Sequence, residues 1–139
     1  MNFLNEAQAY EGEMRAFFED LHRHPEPSHF ENRTNQRVRE QLRAHQIDML
    51  CPKDNITIAV IRGAKPGKTV GLRFDTDALQ MQELCDVPYK SETDGLMHGC
   101  GHDAHTTCGV FVARLLKAHA DALCGTYKII FQPAEEAAS

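Results

Sequence analysis

The 139-residue sequence predicts an α/β domain, and three observations carry that expectation. Two β-rich runs, Thr69-Val-Gly-Leu-Arg-Phe74 and Tyr127-Lys-Ile-Ile-Phe131, flank an amphipathic stretch at about 105–120. A strand, a helix and a strand in that order make one βαβ unit, which sets the two strands parallel. A third β-branched run, Ile56-Thr-Ile-Ala-Val-Ile61, adds a further strand.

The elements follow in order. Leu4, Ala7, Met14, Phe17, Phe18 and Leu21 recur near helical spacing, so about residues 3–22 read as one amphipathic helix. His24-Pro-Glu-Pro27 stops it, because proline lacks an amide donor and restricts its predecessor. A second helix is expected over about 33–45, with Val38 and Leu42 one turn apart on its buried side. After the strand at 56–61, Gly63-Ala-Lys-Pro-Gly67 reads as a turn and Thr69–Phe74 as the returning strand. Residues 76–103 form a long loop, a length that points to function. Val110, Phe111, Ala113 and Leu116 mark the apolar side of the next helix, and Gly125 separates it from the last strand.

Composition narrows the function. Hydrophobic residues at 42% and charged residues at 25% suit one soluble globular domain with a real core. A net charge of −5 offers no electrostatic case for nucleic acid or an anionic membrane. No apolar run approaches the ~18–20 residues that span a bilayer. The start, MNFLNEAQAYEGEM, has neither a basic region nor an apolar core of a secretory signal. Five cysteines at 51, 85, 100, 108 and 124 lack framework spacing, so reduced thiols in the cytoplasm are expected.

The βαβ order brings three chemical stretches to one crevice, outside the carboxyl ends of the parallel strands. Asp75 and Asp77 follow the first strand, Cys100 and His102 precede the helix, and Glu135 and Glu136 follow the last strand. Thiol, imidazole and carboxylate together supply metal ligands plus a spare carboxylate for proton transfer. Each stretch has an ordinary reading of its own. Asp75-Thr-Asp77 suits a polar turn, and Glu135-Glu136 after Pro133 suits the first turn of a helix. His24 reads as a loop residue, His45 and His119 as surface residues, and Cys51, Cys85 and Cys124 as inert thiols. Cys100 as a nucleophile with His102 or His105 as base is a rival, but it leaves both glutamates idle. The conjunction favours the metal reading.

RFDTDAL at 73–79, MHGCGHDAHT at 97–106 and GTYKIIFQPAEE at 125–136 resemble the motifs of the M20 metallopeptidase family, in its amidohydrolase branch. His24-Pro25-Glu26 and Glu31 also fit that branch. The resemblance implies a three-layer αβα sandwich with a mixed sheet, of the zinc-aminopeptidase type. It implies Cys100, His102 and Glu136 as metal ligands in a two-metal site, Glu135 as general base, and Asp77 as the aspartate that orients the site. It further implies two divalent ions (zinc, manganese, cobalt or nickel) and a substrate that is an N-acyl amino acid or short peptide. The sequence departs from the family at Gln80, where a proline is usual. Family chains are roughly three times longer, so residues 1–139 are expected to be the N-terminal portion of the catalytic domain. The remaining histidine ligands, the other catalytic half and a lid used for homodimerisation would lie elsewhere. The competing expectation is a metal-binding fragment without turnover.

Overall fold

A computed structural model describes residues 2–137. The element order is α1 (Phe3–Ala9), α2 (Glu11–Arg23), α3 (Asn32–Ala44), β1 (Asp48–Lys53), β2 (Ile56–Arg62), β3 (Lys65–Asp75), α4 (His102–Ala118) and β4 (Cys124–Gln132). The four strands form one mixed sheet in the order β1-β2-β4-β3. β3 and β4 are parallel in register from Thr69↔Thr126 to Asp75↔Gln132, with α4 as their crossover. The expected βαβ unit is therefore present.

Two expectations are corrected and one strand is added. The single helix at 3–22 is two, because the chain bends at Tyr10. The bend lays the Tyr10 ring against Phe111, with centroids 5.7 Å apart, and 4.4 Å from the Arg114 guanidinium. Leu4 on α1 stays exposed, so its apolar spacing serves no core. Second, the strand after Gly67 does not return beside β2. β4 lies between them, antiparallel to β2 and parallel to β3. The added strand, Asp48–Lys53, is an antiparallel edge strand despite Pro52, a residue that edge strands tolerate.

Helices α3 and α4 pack on one face of the sheet. Val38 and Leu42 of α3 and Val110, Phe111 and Ala113 of α4 meet Ala59, Ile61, Ile129 and Phe131 of β2 and β4. Phe17 and Leu21 of α2 complete that core. The sheet and one helical layer of the expected sandwich are thus in place. Gly109 lets α4 approach closely, since a Cβ there would sit 2.8 Å from both Phe74 and Phe131. That approach matters for the site, because the amino end of α4 carries His102. Among the described residues, no helix is long and apolar enough to cross a membrane.

Candidate metal centre

The parallel register ends β3 and β4 side by side, so residues 75–77 and 132–136 leave the sheet together. Thr76 ties the two exits by donating its amide and its hydroxyl to the Gln132 carbonyl, at 3.1 and 3.0 Å. The third contributor arrives from the long loop. Gly101, at φ 89°, takes the left-handed conformation that lets the chain enter α4, and His102 is the first helical residue. Cys100 is exposed and His102 buried at that turn.

The three ligand atoms of Cys100, His102 and Glu136 all lie within 4.8 Å of one another. Among the described residues they are the one such group of three. The His102 ring is oriented by its neighbours. Its Nδ1 donates to the Asp77 carbonyl at 3.0 Å and to Asp77 Oδ1 at 3.2 Å. Two acceptors on Nδ1 require the proton there, which leaves the Nε2 lone pair open. Nε2 faces Glu135 Oε2 at 3.7 Å and Glu136 Oε1 at 3.9 Å.

Electrostatics suit a cation. The Cys100 thiol donates to Glu136, and this bond, with partial burial and the surrounding carboxylates, pushes its pKa up. Without a positive charge the sulfur stays a thiol, which argues against the nucleophile reading. His105 serves elsewhere: its Nδ1 accepts the Asp75 amide at 3.1 Å. Burial works to raise the Asp77 carboxyl, but donation from Ser28 Oγ, at 2.7 Å, and from the Glu136 amide, at 3.0 Å, brings it below the usual range.

A second buried cluster holds the approach to Cys100. His22 on α2 donates Nδ1 to Asp103 Oδ2 at 2.6 Å and Nε2 to Glu83 Oε1 at 3.1 Å. Glu83 in turn accepts the Ser91 amide at 2.6 Å. The cluster thus fastens the 76–101 loop to the amino end of α4. Burial lowers the His22 pKa, yet the two carboxylates outweigh it and the net shift is upward. His98 lies beside the cluster with both ring nitrogens buried and unpartnered, and burial pushes it down to about 4.

The structure therefore gathers Asp77, Cys100, His102, Glu135 and Glu136. It keeps His24 at the end of α2, bonded to the Asp20 carbonyl, and His119 paired with Glu6. Sequence reasoning passed over Ser28, His22, Glu83 and Asp103. No local pattern marks them, because their partners lie 49–81 residues away.

Residues 71–139 match the family model described as peptidase family M20/M25/M40. The chain is 43% identical over 122 residues to N-acetylcysteine deacetylase of Bacillus subtilis, which covers 86% of this chain and 32% of that protein. It is 43% identical over 118 residues to thermostable carboxypeptidase 2 of Saccharolobus solfataricus, covering 84% of this chain and 30% of the relative. It therefore spans about a third of the length of these curated relatives. Among solved structures it resembles the Bacillus subtilis YXEP protein, described as a dinuclear metal-binding peptidase from the M20 family. The TM-score there is 0.89 at 40% identity, covering 93% of this chain and 37% of that one. On its motifs, its fold and these relatives together, the chain belongs to peptidase family M20/M25/M40.

Proposed function

We propose that this chain contributes the base and three ligands to a metal-dependent hydrolase that cleaves the amide bond of N-acyl amino acids or short peptides. The observation that carries the reading is the convergence of Cys100, His102 and Glu136 within 4.8 Å, with the His102 Nε2 lone pair left open. A thiol, an imidazole and a carboxylate suit zinc, and the carboxylate and imidazole also accept manganese, cobalt or nickel. Two divalent ions held there and by further ligands would supply the charge that acidifies a water and polarises an amide carbonyl. The dinuclear site described for the YXEP protein supports that count.

Glu135 then has the proton work. Its side chain is 37% exposed and lies beside His102, with Oε2 3.7 Å from Nε2, so its carboxylate reaches the crevice. It takes the proton of the attacking water and delivers it to the leaving nitrogen, which departs poorly unless protonated. Glu136 is held differently, its backbone amide donating a hydrogen bond to Asp77 Oδ2 at 3.0 Å, and its side chain serves as ligand. A cavity of about 520 Å³ opens beside Glu136, bordered by Ser28, His29, Phe30, Leu79 and Gln80. That volume fits a small-molecule substrate. In this reading residues 1–139 are the N-terminal portion of a catalytic domain, and the complete protein is a cytoplasmic homodimer.

The complete polypeptide tests the division of roles. Glu135→Gln keeps shape but cannot accept a proton, so turnover of an N-acetyl amino acid falls at least ~10²–10⁴-fold with metal content intact. Glu136→Gln loses metal, measured by elemental analysis. Identical behaviour of the two variants in both assays refutes the assignment. A wild-type protein that holds metal without releasing amine refutes the hydrolase.

A further inference from the structure

Glu31, at the amino end of α3, is fully buried at 0% exposure, 103 residues from the turn that carries Glu135 and Glu136. Its Oε1 accepts the His29 amide at 3.0 Å and the Ala134 amide at 2.7 Å. Its Oε2 accepts Asn55 Nδ2 at 3.1 Å. A buried carboxylate is tolerated only when donors surround it, and these donors are all neutral N–H groups. Fastening α3 to the β1–β2 turn needs only the Asn55 bond. The Ala134 bond, the shortest of the three, does something else.

Ala134 sits between Pro133 and Glu135 with φ 55°, in the left-handed region that alanine seldom adopts. Such a conformation persists only where its surroundings impose it. Two remote carboxylates impose it here. Asp77 Oδ2 accepts the Glu136 amide at 3.0 Å on one side of the turn, and Glu31 Oε1 accepts the Ala134 amide on the other. Asp77 also bonds His102, whereas Glu31, among the described residues, reaches the Glu135–Glu136 segment through the backbone of the turn. We infer that Glu31 is a positioning residue: its carboxylate holds the Ala134 turn so that Glu136 meets Cys100 and His102 as a third donor. The inference rests on the ligand set proposed above.

The test is a cobalt(II) titration of the protein, read by the thiolate-to-metal charge-transfer band that a Cys100 ligand produces. Folding of every variant is checked by circular dichroism. Glu31→Asp keeps the charge but withdraws the acceptor from Ala134, and cobalt binding should weaken about 10–100-fold, as when an outer partner of a metal ligand is lost. Glu31→Gln loses the charge but keeps an oxygen at full reach of the Ala134 amide; its new NH₂ group faces the Asn55 side-chain amide, which can turn to present its oxygen, so cobalt affinity should stay close to wild type. Equal affinity for Glu31→Asp and wild type overturns the inference. Equal loss in both variants also overturns it, because charge rather than reach would then matter. A wild-type band that disappears in Cys100→Ser but ignores Glu31→Asp overturns the inference alone. No band in wild type overturns the ligand set and the inference with it. A measurement free of variants guards against misfolding. The Ala134 amide should be protected from hydrogen exchange in the native protein, and exchange at the rate of an open turn refutes the anchor.

Discussion

Asp77→Asn is the most informative single change near the site, because the geometry dictates which way the new amide must face. Ser28 Oγ and the Glu136 amide both donate to Asp77 Oδ2, at 2.7 and 3.0 Å. Those two donors hold the asparagine oxygen in that position, so its NH₂ group must face His102 Nδ1, now 3.2 Å from Oδ1. A donor then meets a donor. The ring relieves the conflict by moving its proton to Nε2, the nitrogen that a metal needs, or by turning away. Loss of such an orienting partner costs about 10–100-fold in metal affinity, or ~1.4–2.7 kcal/mol. The Asp77 carbonyl, 3.0 Å away, accepts from Nδ1 only while the proton stays there, so it opposes the proton's move and keeps the loss within that range. Thermal stability should change little, because both bonds to Oδ2 remain.

The assay is zinc affinity by competition with a chelating dye, with the His102 tautomer read by nitrogen-15 NMR of the metal-free protein. Because the Asp77 carboxyl lies below its usual range when folded, its contribution is present above the unfolded value of about 3.9 and fades as pH falls through the lowered one. The difference between wild type and variant should therefore persist throughout neutral pH. Asp77→Asn with wild-type zinc affinity and an unmoved Nδ1 proton would refute the orienting role.

His22 supplies a pH signature. Its pKa is raised in the folded state, so its contribution is complete below the unfolded value of about 6.5 and is lost as pH rises through the raised one. His22→Gln should be destabilised most at pH 5–6 and approach wild type in alkali, by denaturant titration across pH; a gap that widens with pH contradicts the sign. Phe131, fully buried between α4 and the sheet, should cost about 3–5 kcal/mol when replaced by alanine, read from the shift in the urea midpoint. A loss under 1 kcal/mol, well below that cavity range, would mean it does not anchor α4.

Much of the architecture was legible along the chain, for definite reasons. Val38 and Leu42, the β-branched Ile56–Ile61 run and the apolar side of α4 each mark their element, and Val38, Leu42, Ala59, Ile61, Val110, Phe111 and Ala113 became core. The strand, helix, strand order then fixed a parallel pair, and this alone brought Asp77, Cys100, His102 and Glu136 to one end. Features set by distant partners stayed hidden. The bend at Tyr10 answers to Arg114 and Phe111, about a hundred residues away. The seat of β4 between β2 and β3 cannot be inferred from Gly63–Gly67, which looks like a tight turn but feeds a strand on the far side of the sheet. β1 escaped because an exposed edge strand with a proline carries no alternation. In the site, ligand candidates announced themselves by residue type and spacing. Their supports did not: Ser28 and Glu83 resemble any polar loop residue until the fold supplies their partners, and Glu31, though it fits the family signature, shows its role only through Ala134.

Anomalous diffraction from crystals grown with zinc locates the ion and its ligands without assuming either. A zinc peak is expected at bonding distance from Cys100 Sγ, His102 Nε2 and a Glu136 carboxylate oxygen, about 2.3 Å for the sulfur and about 2.0–2.2 Å for the others. A peak ligated by His98 or His105 without Cys100 and His102, or no zinc in the crevice at saturating metal, would contradict it.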